Sequence, residues 1–255
     1  MTPPGPGAEL GVVFALGAWR EVAPGVHVAV AEPESVNLGL VVGATSALVV
    51  DTGSSPAQGA AVRESVSSVT DLPLAAVAIT HWHYDHAFGL AGFRGVTTIG
   101  HETVRARLCS AEAAHEAARL GVDPADLIGP GREIALATSV DLGDRRVEIA
   151  HLGRGHTDGD LVVVVPDADV VFAGDLIESA GPPSYGSDSY PTEWPGTLDA
   201  LIGLMTSRTV AVPGHGEPVD REFVFAQRGR IAARATELAA QPSAARPEGR
   251  TLPLV

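Results

Sequence analysis

Apolar and polar positions along the chain fall into two kinds of run. Short stretches rich in Val, Ile, Leu and Ala, at 25–31, 38–42, 47–51, 74–80, 146–150, 161–165, 170–173 and 209–212, predict β-strands. Between them, apolar residues recur at three- and four-residue spacing over about 56–69, 102–120, 197–205 and 221–239, which predicts helices. The run Leu161-Val-Val-Val-Val165 lacks the alternation of a half-solvated strand, so it is expected to be covered on both faces. Each half of the chain opens with strands and closes with helices. That order predicts a mixed α/β architecture in which two sheets pack together with helices outside.

Size and charge narrow the picture. A chain of 255 residues, 45% hydrophobic, can form one large domain over 1–255, with a core over about 8–240 and loose ends at Met1–Gly7 and 241–255. The net charge is −14, and all 17 basic residues are Arg, so no basic field is present to hold a phosphate backbone. Nucleic acid is therefore excluded as a partner, and a small-molecule substrate is expected, with the oligomeric state left open. Arg228, Arg230 and Arg234 read as a solvated helix face. Cys109 is the sole cysteine, which excludes an intramolecular disulfide, and its Ala-rich surroundings predict a buried, inert thiol. With no leader pattern and no apolar run of membrane-spanning length, the expected setting is the cytoplasm, away from any membrane.

The chemistry concentrates at one strand exit. After the apolar run 74–79 comes Thr80-His81-Trp82-His83-Tyr84-Asp85-His86, four potential metal ligands within six positions. In an extended segment residues two apart point the same way, so His81 and His83 can face one metal, while a turn beyond them aims Asp85 and His86 at a second. Three further candidates each follow an apolar strand beside glycine: His156 in Gly155-His156-Thr157, Asp175 in Gly174-Asp175-Leu176, and His215 in Gly214-His215-Gly216. Singly, such positions read as turns, caps or loops. Together they make five histidines and two carboxylates, a donor set suited to two borderline divalent ions, with Asp175 placed to bridge.

These segments, in this order, resemble the metallo-β-lactamase fold superfamily, and Asp51-Thr52-Gly53 resembles its upstream strand-end motif; the likeness spans roughly 25–220. The resemblance implies a four-layer αββα sandwich of two mixed sheets flanked by helices. It also implies that His81, His83 and His156 hold one metal, that Asp85, His86 and His215 hold the other, and that Asp175 bridges them. Asp51 would orient a ligand imidazole by accepting its free ring N–H, unless it is a simple turn residue. The other histidines, His27, His101, His115 and His151, do not align with ligand positions and read as ordinary core or surface residues, His151 being nearest the site in sequence.

The implied cofactor is two Zn²⁺ per chain, with Fe or Mn accepted by the same donors. The implied reaction is hydrolysis of an ester, thioester, lactone or amide by a metal-bridging hydroxide, with Asp85 as the catalytic carboxylate that orients it and moves its proton. The alternatives are a mononuclear iron enzyme resembling persulfide dioxygenases, a β-lactamase or a phosphodiesterase. Aspartate at position 175 resembles glyoxalase II-like and lactonase-like members rather than β-lactamases, which often carry Cys or Ser there, and the lack of Lys argues against a glutathione thioester. The segment 177–195, with Tyr185, Tyr190 and Trp194, is expected to overhang the site; 31–37 is expected opposite, with Trp82 and Tyr84 as apolar lining.

Overall fold

The computed structural model describes residues 12–240. The chain ends expected to be loose, Met1–Gly7 and 241–255, lie outside the described residues. The first half runs through β1 (Arg20–Ala23), β2 (Val26–Ala31), β3 (Val36–Val42), β4 (Ala47–Val50), α1 (Pro56–Ser65), β5 (Leu74–Ala78), α2 (Tyr84–Ala87), β6 (Thr97–His101), α3 (Val104–Leu108), α4 (Ala111–Leu120) and β7 (Arg132–Ile134). The second runs through β8 (Ala137–Asp141), β9 (Arg146–His151), β10 (Leu161–Val165), β11 (Val170–Glu178), α5 (Trp194–Leu204), β12 (Val210–His215) and α6 (Arg221–Ala240).

Two leaves of sheet result. One orders its strands β7-β6-β5-β4-β3, with β2 and β1 paired on beyond β3; the other orders them β12-β11-β10-β9-β8. The pairings β4/β5, β5/β6, β6/β7 and β11/β12 are parallel and the rest antiparallel. The leaves join through a single residue pair, His215 with Val36. Three buried clusters account for the layering. Val41, Leu48, Val50, Ala76 and Ala78 of the first leaf meet Ile149, Leu161, Val163, Val170 and Phe172 of the second between the sheets. The alternate residues of the same strands, such as Leu40, Val49 and Val77, face α1 and the helical segment from α2 to α4. Val162, Val171 and Ala173 face α5 and α6 with Trp194, Leu198 and Ile231. This is the αββα sandwich, and it explains the unalternating strand runs: in β10 both parities are buried, each against a different layer.

The helix predicted over 102–120 is two helices. Ser110 breaks the run and caps α4, its hydroxyl accepting the Ala113 N–H at 3.1 Å, and Gly121 ends α4 in the left-handed region. Cys109 sits at that break and is exposed, contrary to the buried thiol expected of an unbroken helix. No described helix is long and apolar enough to cross a membrane.

Candidate metal centre

The layering brings the C-terminal ends of parallel strands to one rim. Asp51 follows β4, His81 follows β5, Asp175 lies within β11 and His215 ends β12. The strand β11 breaks register with β12 after Gly174, which carries φ +51°, and this irregularity turns Asp175 inward. A Cβ on Gly214 would overlap Asp175 Oδ1, so glycine there lets the carboxylate reach the centre. His83 stands just before α2 as its N-cap, and the single turn of α2 swings Asp85 and His86 to the other side.

All seven predicted ligands converge, in two groups. His81, His83, His156 and Asp175 present donor atoms to one point; Asp85, His86 and His215 present theirs to a second. His83 Nδ1 lies 3.0 Å from His81 Nε2 and 2.8 Å from His156 Nε2. Asp175 reaches both groups with different oxygens: Oδ2 is 3.3 Å from His156 Nε2, whereas Oδ1 is 3.2 Å from His86 Nε2 and 3.5 Å from His215 Nε2. Asp85 Oδ2 lies 3.2 Å from His215 Nε2.

The outward ring nitrogens decide what the inward ones offer. His156 Nδ1 donates to the Ser184 carbonyl at 3.2 Å, and His215 Nδ1 to the Glu34 carbonyl at 3.0 Å. His83 Nε2 faces Asp188 Oδ2 at 3.3 Å, and His86 Nδ1 faces Asp51 Oδ2 at 2.8 Å. Thr80 donates its only hydroxyl proton to Asp51 at 2.8 Å and so accepts from His81 Nδ1 at 3.2 Å. Each imidazole therefore carries its proton on the outer nitrogen and, when neutral, turns a lone pair inward. Lone pairs 2.8–3.0 Å apart repel unless a proton or a metal cation sits between them. His86 Nε2 and Asp175 Oδ1 are buried and have no hydrogen-bond partner. Such orphaned acceptors, in a cluster of imidazole and carboxylate donors, fit divalent metal ions.

Without ions the cluster is electrostatically divided. Burial lowers His81 and takes His156 down to about 4. Burial also opposes charge at His86 and His215, but the carboxylates of Asp85 and Asp175 overcome it, raising His86 strongly and His215 to about 10. At His83 burial is likewise overcome, here by Asp188. Asp175 is held well below the usual carboxylate range, against its burial, by His86 and His156. Protons thus occupy positions that cations would take, and metal binding would release them.

Asp51 stands where the sequence placed it, accepting the Thr80 N–H at 2.7 Å as well as facing His86. Asp188 was not legible. It lies in the loop after β11, accepts Trp82 Nε1–H at 2.7 Å and steadies His83, and its carboxyl is drawn down to about 2 by His83 against burial. The only signal was a lone Asp in the polar stretch Gly186-Ser187-Asp188-Ser189. Asp160 was also missed; buried behind His156, it accepts the Thr157 N–H and, at 2.7 Å, the Thr157 hydroxyl.

A cavity of about 310 Å³ opens over the centre, lined by Trp82, His83, Tyr84, Asp85, His156, Asp175 and His215, by Ser184 and Gly186 of the overhanging loop, and by Glu34, Glu112, Glu116 and Glu178. Trp82 and Tyr84 thus take their expected places. Tyr185, Tyr190 and Trp194 do not line it. Trp194 is fully buried, packs in the α5–α6 layer 5.7 Å from the His156 ring, and supports that ligand from behind. Tyr190 lies under the Arg154 guanidinium at 4.4 Å, and Tyr185 is 39% exposed against Trp194. Of the three, Trp194 found apolar neighbours in the layer beneath the loop. His151 pairs with His101, ring centroids 4.4 Å apart, away from the cavity.

The family model described as metallo-beta-lactamase superfamily matches residues 31–215. The chain belongs to this superfamily. Similar proteins include a metallo-beta-lactamase type 2 of Bacillus cereus, 28% identical over 58% of this chain and 54% of the relative. The human acyl-coenzyme A thioesterase MBLAC2 is 27% identical over 64% of this chain and 63% of its own length. The chain spans about half the length of the Bacillus relatives it matches. A solved metallo-beta-lactamase from Pontibacter korlensis shares the fold, with TM-score 0.67 and 19% identity, covering 90% of this chain and 100% of that one. Members of the superfamily are metallo-hydrolases, which supports an enzyme here.

Proposed function

We propose that this protein is a dinuclear metal-dependent hydrolase, with zinc the expected ion, that cleaves an ester, thioester, lactone or amide bond in a small molecule in the cytoplasm. The observation that carries this reading is the inward convergence of five imidazole nitrogens on the two oxygens of Asp175, each ring fixed by an acceptor at its outer nitrogen. His81, His83 and His156 would hold one ion, Asp85, His86 and His215 the other, and Asp175 both. Bound there, divalent ions supply Lewis acidity and lower the pKa of water from 15.7 to roughly 7.

The chain's own residues do the rest. Asp85 lines the cavity with its carboxylate, placed to orient an attacking water and hold its proton. Asp51, Asp188 and the Ser184 and Glu34 carbonyls keep the imidazoles in register. Trp82 and Tyr84 close one wall against bulk water. No Ser or Cys nucleophile is needed, and the sole thiol, Cys109, is no part of the cavity wall. The relatives named β-lactamase and acyl-coenzyme A thioesterase are both named for cleavage at a carbonyl, which supports the bond class.

The test is hydrolysis of ester, thioester, lactone, β-lactam and phosphodiester probes by protein purified without chelator. Turnover of carbonyl probes that stops with chelator and returns with Zn²⁺ is expected. Oxygen uptake on a persulfide with one iron per chain would overturn the reading in favour of an oxidative enzyme.

A further inference from the structure

Four glutamates line the cavity above the proposed metal centre, and they come from three separate elements. Glu34 lies in the turn between β2 and β3, Glu112 and Glu116 on α4, and Glu178 at the end of β11. No Arg lines the cavity. The nearby cation, Arg119, is engaged: its Nε donates to Glu116 at 2.7 Å, its Nη2 is 3.9 Å from Glu34, and its guanidinium lies over the Tyr84 ring at 5.0 Å. Among the described residues, Glu112 and Glu178 make no ion pair; Glu178 receives the Ala180 backbone N–H at 2.9 Å.

Two divalent ions held in the centre would not cancel this rim: they would bring four positive charges, which the four carboxylates of Asp51, Asp85, Asp175 and Asp188 in and behind the centre would match. The floor is then near neutral, and the mouth keeps the charge of its glutamates less that of one arginine. Negative charge lining a concave entrance concentrates cations and repels anions. Trp82 and Tyr84 add aromatic surface to the same wall, the Tyr84 ring with the Arg119 guanidinium over it. At about 310 Å³ the cavity is at the small end of ligand sites, which run from about 300 to 1,000 Å³. A long polyanion such as coenzyme A would have to cross the glutamate rim.

We propose that the site selects small carbonyl substrates bearing a positive charge, such as an ammonium group, remote from the bond cleaved, and discriminates against anionic ones. This rests on the hydrolase reading and narrows its substrate class. The chemistry is plain hydrolysis: water adds to the carbonyl carbon, the bond to the leaving oxygen, sulfur or nitrogen breaks, and the leaving group takes up a proton. No further reactant is needed.

The test uses metal-loaded protein and three thioacetates that differ only in the remote substituent: acetylthiocholine, its uncharged isostere with tert-butyl in place of trimethylammonium, and a counterpart with a carboxylate there. The expected order of kcat/KM is cationic, neutral, anionic, spanning at least about tenfold at low ionic strength and narrowing as salt rises. In Glu112→Gln/Glu178→Gln the cationic-to-neutral ratio falls several-fold; Glu178→Gln alone serves if the double variant does not fold. Choline binding, measured by calorimetry, is expected to weaken in the same variants. Turnover with a flat or reversed order overturns this inference and leaves the hydrolase reading standing. Choline binding that depends on the glutamates, without turnover of any thioacetate or of any other carbonyl probe, supports the cation site and overturns the hydrolase reading. No turnover of any of these probes and no choline binding overturns both.

Discussion

The floor and the mouth of the cavity are built on opposite principles. The floor is buried: His81, Asp85, His86 and His156 are nearly inaccessible, and every ligand imidazole is fixed from outside by a named acceptor. The mouth is half-exposed, only two of its four glutamates approach an arginine, and the carriers of its charge lie on a turn, a helix and a strand end. A rigid floor holds a reaction apparatus that many substrates could use. A charged, less constrained mouth decides which of them arrive. Floor variants should therefore lower metal retention and slow all substrates together, whereas mouth variants should change only the ranking among substrates.

The largest effect is expected from Asp175→Ala, which removes the group common to both clusters. Activity on every carbonyl probe should fall by more than the 10–100-fold typical of losing an outer partner, and metal per chain should drop in elemental analysis. Asp188→Ala comes next. Losing the acceptor behind His83 is expected to weaken metal binding by about 10–100-fold, read by chelator competition, with the ranking among thioacetates kept. A change in ranking instead would show that Asp188 belongs to the mouth.

Asp160 tests the support behind the floor through pH. Burial raises its pKa to about 7 from the ordinary 3.8, so the native state binds the extra proton between those values, and stability falls as pH rises through them. Asp160→Asn removes this titration. In chelator-treated protein, the Tm advantage of the parent over the variant should shrink between about pH 4 and 7; an advantage constant with pH would show that burial does not hold the proton there. The smallest effect belongs to the mouth, the several-fold loss of charge selectivity in Glu178→Gln. If that variant instead loses metal, the division between floor and mouth fails.

The difference between the two regions also explains what the sequence could reveal. Seven floor residues were legible because four of them lie within six positions just past an apolar strand and the other three stand beside glycine in or after one. The strands β2, β3, β4, β5, β10, β11 and β12 were legible for a related reason, since burial between two layers demands apolar runs, and β9 through the apolar positions of its alternating pattern. The strands β1, β6, β7 and β8 were not, because short polar segments such as Arg132–Ile134 become strands only through a neighbour's pairing. The break at Ser110 was written in the sequence as a cap signal but overridden by the helical run around it. Asp188 acts on Trp82 from 106 positions away, and the glutamates of the mouth meet only when three elements assemble. No local pattern marks such residues. The overhanging loop contributes Ser184 and Gly186 to the cavity, yet its aromatics do not line it: Trp194 packs into the layer beneath, where apolar burial is worth more than a place in a wet cavity wall, Tyr185 leans on Trp194 and Tyr190 stacks under Arg154.

The central claim is that the floor holds two metal ions bridged by Asp175, and elemental analysis of protein purified without chelator tests it most directly when parent and Asp175→Ala are compared. The account predicts about two divalent ions per chain in the parent, zinc foremost, and a clear loss in the variant. A parent that binds no metal in any preparation, or a variant that keeps the full complement, would contradict it.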